Sequence, residues 1–190
     1  MTDSKIGELF LNHFEKYLSK FANAEIFASD DGFHRLQIIS YLNVFEGCVM
    51  FASFGLSKYY EKYKKYIEVY SIIDSPPEEF SYLMSSVLLS AIENKFVLKR
   101  GTAIRGLSRV SSQFVEKYNK QAIYFTRPHI LPEEFRSVKS LEANSEIFQI
   151  IFITDDEYKY IIENGVDKFE VLLDSSDIDV FNLHRSGIIK

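Results

Sequence analysis

A chain of 190 residues with 46% hydrophobic and 26% charged side chains can bury a sizeable core and lies far from the composition of disordered chains. Its formal net charge of −5 argues against general affinity for nucleic acid or for anionic membrane surfaces. Cys48 is the single cysteine, acidic residues interrupt the apolar N-terminus, and no apolar run reaches membrane-spanning length, so the expectation is one soluble cytoplasmic domain over residues 1–190.

In chain order, Ile6, Leu9, Phe10, Phe14, Tyr17, Leu18 and Phe21 recur every three or four residues, which predicts a helix with one buried stripe over about residues 4–22. Asp30, Asp31 and Gly32 form a turn before a strand from Phe33 to Leu42, and a break at residues 43–47 leads into a second strand, Cys48 to Phe54. Tyr66 to Ile73 reads as a third strand, with Ile67, Val69 and Ile73 on one face and Tyr66, Glu68, Tyr70 and Ile72 on the other. Ser75-Pro76-Pro77-Glu78 has the form of a capping box with proline at the first helical position, and Phe80 to Ile92 continues as an amphipathic helix to about Asn94. Phe96 to Leu98 and Thr102 to Ile104 are expected as short strands around Arg100-Gly101, and Gln121 to Arg127 as a longer one stopped by Pro128. Residues 129–146 lack periodicity and are expected to form a long surface connection.

The last forty or so residues carry the strongest signals. Ile147 to Ile153 is apolar on both faces, as a central strand requires. Thr154 with Glu157 three residues on is a second capping box, Tyr158, Ile161 and Ile162 form an apolar stripe, and Gly165 stands where a helix ends. Val166, Phe169, Leu172 and Leu173 line a further amphipathic segment, ended by Asp174, Ser175 and Ser176. Strands grouped ahead of a long helix predict an α+β fold, a mixed β-sheet with helices packed on it.

No catalytic pattern emerges from these elements. His13, His34, His129 and His184 are scattered without ligand spacing, so no metal site is expected, and His13 reads as a packing residue. Asp155, Asp156 and Glu157 could serve a two-metal nuclease, yet three acids in a first helical turn suit the helix dipole better. Asp174, Asp177 and Asp179 lack the glycine and bidentate glutamate of a calcium loop and read as a solvated acidic loop open to a basic partner. Ser53 and Ser57 have no nucleophile-elbow context, and Arg100 to Gly106 has neither phosphate-loop nor dinucleotide spacing, so no cofactor is expected. Residues 57–66, SKYYEKYKKY, interleave lysines with tyrosines. That pattern could stack bases, but in an acidic chain Tyr59 and Tyr63 are better candidates for contact with a protein.

Three stretches together resemble the suppressor-of-fused (SUFU-like) family: MFASFGLSKY at 50–59, YIEVYSII at 66–73, and the strand, capped helix, FEVLL and DVFNLHRSG of the C-terminal part. The similarity covers most of the chain beyond the first helix. It implies a SUFU-like fold and a non-enzymatic role in binding and sequestering a protein, since eukaryotic members hold a transcription-factor peptide and compact bacterial members resemble immunity proteins. For a chain of this compact length, the expected function is an antitoxin that neutralises a toxin encoded nearby, such as a nuclease, by occluding it. An adaptor that binds an endogenous peptide by strand addition is the alternative. The expected contact residues are Tyr59, Tyr63, Asp174, Asp177 and Asp179.

Overall fold

The computed structural model describes residues 2–141 and 144–189. In order, it contains α1 (Asp3–Tyr17), β1 (Asn23–Ala28), β2 (Arg35–Leu42), β3 (Cys48–Phe54), a 3₁₀ turn (Leu56–Tyr59), α2 (Tyr60–Tyr63), β4 (Tyr66–Asp74) and α3 (Phe80–Glu93). There follow β5 (Ala103–Arg105), α4 (Leu107–Val110), α5 (Ser112–Tyr118), β6 (Ala122–Thr126), two 3₁₀ turns (Glu133–Arg136 and Lys139–Leu141), β7 (Ser145–Ile153), α6 (Asp155–Asn164) and α7 (Val166–Ser175).

The strands form one mixed sheet in the order β1-β2-β3-β4-β7-β6-β5. Among the described residues only the β4–β7 pairing is parallel, with Tyr66 opposite Ser145 and Tyr70 opposite Gln149. That position explains why Ile147 to Ile153 is apolar on both sides: β7 lies between β4 and β6, and both of its faces are covered. Phe148, Ile150 and Phe152 join the cluster under α3, α4 and α5. Ile147 packs with α1, while Ile151 and Ile153 pack with Ile161 of α6 and Phe169 of α7. The sheet is thus the middle layer, with α3 to α5 on one face and α1, α6 and α7 on the other.

Several boundaries differ from the expectation for physical reasons. The first helix ends at Tyr17 rather than about residue 22, because Leu18 turns extended and Ala22 donates to Ser40 O at 2.8 Å, starting the outer strand β1. Pro76 does not open a helix, since Pro77 disfavours helical backbone at the residue before it. Ser75 adopts φ 50° and bonds Asp74, and the helix begins at Phe80 without a side-chain cap. Residues 96–98 are not a strand, and β5 pairs with β6 instead. The segment expected as a surface connection enters the core at its described residues: Phe135, Val138 and Leu141 are buried, and Phe135 closes the α1 cluster against Phe14 and Tyr70. His13 packs there as expected, its ring stacked on Phe135 and its Nε2 at 3.0 Å from Phe135 O. Gly101, at φ +86°, passes so close to α7 that an added Cβ would meet Val166 Cγ2 at 2.7 Å, which leaves glycine as the residue that fits.

Candidate partner-binding surfaces

Buried polar groups fix what the surface presents. Glu68, in the middle of β4, is fully buried. Its carboxylate accepts from Ser53 Oγ at 2.7 Å, from the N–H groups of Gly55, Leu56 and Ser57 at 2.8, 3.3 and 3.1 Å, and from Ser57 Oγ at 2.8 Å. The SFGLS turn is therefore wrapped around one carboxylate, and the positive φ of Gly55 (118°) lets three successive amides converge on it. Burial pushes the Glu68 pKa up, against the pull of these donors. The sequence signal was an acid centred in an apolar strand; its partners were legible only once the strands were paired.

A second network ties down the C-terminal segment. Thr154 and Glu157 form the expected capping box, with Thr154 N donating to Glu157 Oε2 at 2.7 Å and Glu157 N to Thr154 Oγ1 at 3.2 Å. The same carboxylate receives Arg185 Nη1 at 2.7 Å and Ile188 N at 3.1 Å, while Arg185 Nη2 reaches Phe152 O at 3.0 Å. Burial pushes the Glu157 pKa up, but Arg185 and the backbone donors outweigh it and hold the group below its usual value. Lys120, 1% exposed, donates to Arg185 O at 2.7 Å.

Burial, with Arg185 close by, pulls the Lys120 pKa down from 10.5 to about 8. The unfolded chain then holds the Lys120 proton in a pH range where the folded chain has released it. Stability should therefore gain from this group as pH rises from about 8 towards 10. Urea titrations across that range should show the rise in the native chain and its loss in Lys120→Met; parallel profiles for the two would contradict it.

The five expected contact residues do not form one patch. Tyr59 and Tyr63 are half-buried and pack against the cluster under α3. Tyr59 Oη lies 2.9 Å from His34 Nδ1, Tyr63 Oη is buried with no hydrogen-bond partner among the described residues, and burial pushes the Tyr63 pKa up to about 12. Both rings line a cavity of about 440 Å³ with His34, Lys62, Ile92 and Val97. Asp174, Asp177 and Asp179 are exposed, but they do not share one loop: Asp174 lies in the last turn of α7, which packs on the opposite face of the sheet, and Asp177 and Asp179 follow that helix. Asp179 also orders its turn by accepting from Phe181 N at 2.9 Å.

The acids around α6 and α7 are unequally paired. Residues 154–179 carry nine acidic and two basic side chains, so this segment alone is more negative than the whole chain at −5. Asp155 meets Arg105 and Lys159, and Asp167 and Glu170 meet Arg100. Glu163, Asp174, Asp177 and Asp179 have no ion pair among the described residues. The acids without a paired cation are thus Glu163 on α6 and, at the end of α7 and in the turn after it, Asp174, Asp177 and Asp179, with Lys168 the exposed lysine on α7.

Comparison with known proteins adds the family. The model of the suppressor of fused protein (SUFU) family matches residues 32–186. The chain belongs to the SUFU family. This SUFU domain is 21% identical over 149 residues to the immunity protein YqcF of Bacillus subtilis (strain 168), a match covering 76% of each chain. Its fold superposes on a putative SUFU homologue from Neisseria gonorrhoeae FA 1090 with a TM-score of 0.75 at 14% identity, covering 98% of both chains. In the crystal structure of the Sufu–Fu complex the matching chain gives a TM-score of 0.63 at 12% identity, covering 95% of this chain and 91% of that one. Against Drosophila Suppressor of Fused the TM-score is 0.55 at 13% identity, covering 81% of this chain and 42% of that one. The motifs that carry the resemblance contain Glu68 with its SFGLS turn and Arg185 with Glu157, so they are the fold's buried polar network.

Proposed function

We propose that this SUFU domain is an immunity protein that neutralises a cognate toxin, of the nuclease class, by covering it. The observation that carries the reading is the set of exposed acids without a paired cation among the described residues, Asp174, Asp177 and Asp179. A nuclease holds its substrate in a basic cleft, and an acidic face that meets the cleft both blocks it and speeds the encounter through long-range attraction. The relative named an immunity protein supports the same reading. Tyr59 and Tyr63 lie across the sheet from the acidic face and would form a separate contact region.

The test is the association rate with the product of the neighbouring gene, measured at several salt concentrations. The rate for the native chain should fall steeply with salt. Asp174→Asn, Asp177→Asn and Asp179→Asn combined should lower the low-salt rate by about tenfold and leave dissociation little changed. A rate indifferent to both salt and the triple substitution would remove the acidic face from the mechanism.

A second reading, a regulator that takes an endogenous extended peptide by strand addition, is favoured by β1. It is an outer strand of six residues, NAEIFA, with no proline or lysine to blunt its open edge and with Ile26 73% exposed. An isolated extended peptide that binds as tightly as any folded partner would support that reading over toxin neutralisation.

A further inference from the structure

β1 ends the sheet, and among the described residues no strand pairs with its free edge. Ser29 N donates to His34 O at 2.9 Å, one position beyond the Ala28–Arg35 pair, and hydrogen-bonded pairs alternate along an antiparallel ladder. Asn23, Glu25 and Phe27 therefore bond to β2, while Ala24, Ile26 and Ala28 turn their N–H and C=O groups outward. Exposed apolar side chains gather at the same edge. Ile26 in its middle is 73% exposed, Phe21 just before the strand 41%, and Phe33 in the turn after it 85%. Open backbone groups beside such side chains are a template for another strand.

The edge is complementary to itself. Its outward residues read Ala-Ile-Ala about Ile26, so two copies set antiparallel about a two-fold axis there place Ile26 opposite Ile26 and Ala24 opposite Ala28. The large side chains meet at the axis and the small ones flank them. Residues 24, 26 and 28 are the ones with free backbone groups, so this register pairs each outward N–H with an outward C=O. Glu25 falls opposite Phe27, and no like charges face each other directly. The same operation brings the approach to β1, with Lys20 and Phe21, beside the turn of the second copy that holds Asp30 and Phe33, all of them exposed. Opposite charges and exposed rings thus meet at both ends of the pairing.

We propose that β1 pairs with β1 of a second copy of this chain, joining two seven-stranded sheets into one across a two-fold axis at Ile26. A six-residue strand pairing buries little area, so the dimer is reversible and builds up with concentration. α6 and α7 pack over β6 and β7, at the other end of the strand order, and the dimer leaves them open on both copies. The pairing goes beyond the neutralisation reading, and it gives the β1 edge a different occupant from an endogenous peptide.

Sedimentation velocity of the full chain from about 10 μM to about 1 mM should show a monomer–dimer equilibrium. Ile26→Pro removes an outward N–H while sparing the bonds to β2, and Ile26→Lys sets two cations face to face at the axis. Each should leave a cooperatively melting monomer across the range. Cysteine trapping in a Cys48→Ala background reads the register. Ile26→Cys should link to itself under mild oxidation, since Cα atoms about 5.5 Å apart suit a disulfide. Ala24→Cys and Ala28→Cys should each stay unlinked alone and link when mixed. A native chain that is monomeric at every concentration, or a dimer that survives both substitutions at Ile26, would overturn the proposal. So would Ala24→Cys linking to itself as readily as to Ala28→Cys. That failure is separable from failure of the neutralisation reading, because no toxin enters the experiment.

Discussion

Arg185→Met lowers the unfolding free energy by about 3–5 kcal/mol, read as a drop in the urea midpoint with little change in slope. The substitution leaves the Glu157 carboxylate buried without its cation, and the side chains of this pair are 4% and 0% exposed. Because Glu157 titrates below its usual value when folded, its contribution is present above the ordinary glutamate pKa and fades as pH falls through the folded one. The deficit of the variant should therefore shrink in acid, where the carboxyl can take a proton. Glu157→Leu combined with Arg185→Met should recover part of the loss but not all, since Glu157 also serves the N–H groups of Thr154 and Ile188. A deficit under about 1 kcal/mol at neutral pH would mean that the pair does not hold the C-terminal segment as described.

The second large effect is expected at Glu68. Glu68→Ala removes the shared acceptor of two hydroxyls and three backbone amides, all enclosed between β3, β4 and the SFGLS turn. A stranded buried donor costs about 1–3 kcal/mol, and even with strong non-additivity the loss should reach about 4 kcal/mol. Hydrogen exchange locates the effect: the amides of Gly55, Leu56 and Ser57 should lose protection first, before the strands of the sheet. Unchanged protection at these three amides would contradict the cradle.

What the sequence disclosed and what it hid follow one physical division. Local hydrogen bonding is written in short spacings, so the Thr154–Glu157 capping box was legible and formed. The Ser75 box failed because Pro77 sets a steric rule on its neighbour that the capping pattern ignores. Residues 112–118 form a helix that could have been read, since Ser111 caps it and Val110, Phe114 and Tyr118 repeat every four residues. β1 was harder, because an edge strand buries little and NAEIFA shows no alternation strong enough to announce it. Phe135, Val138 and Leu141 enter the core from 3₁₀ turns, which have no helical or strand period to detect.

The site divides in the same way. Exposure of Asp177 and Asp179 followed from their loop context, while Asp174 is exposed from the last turn of α7 rather than from a loop; Tyr59 and Tyr63 looked exposed beside four lysines yet turn their rings into the α3 cluster. No local spacing could place those tyrosines and the aspartates on opposite faces. That relation comes from the crossing of the chain from β4 through α3 to β7, which only the assembled sheet defines.

Neutralisation of a toxin is tested most directly by the growth of cells that express the neighbouring gene's product with and without this chain. The expected result is arrest by the neighbouring product alone, full growth on co-expression of this chain, and return of arrest when the three aspartates are neutralised together. A neighbouring product that is harmless alone, or arrest that persists beside a well-folded copy of this chain, would contradict it.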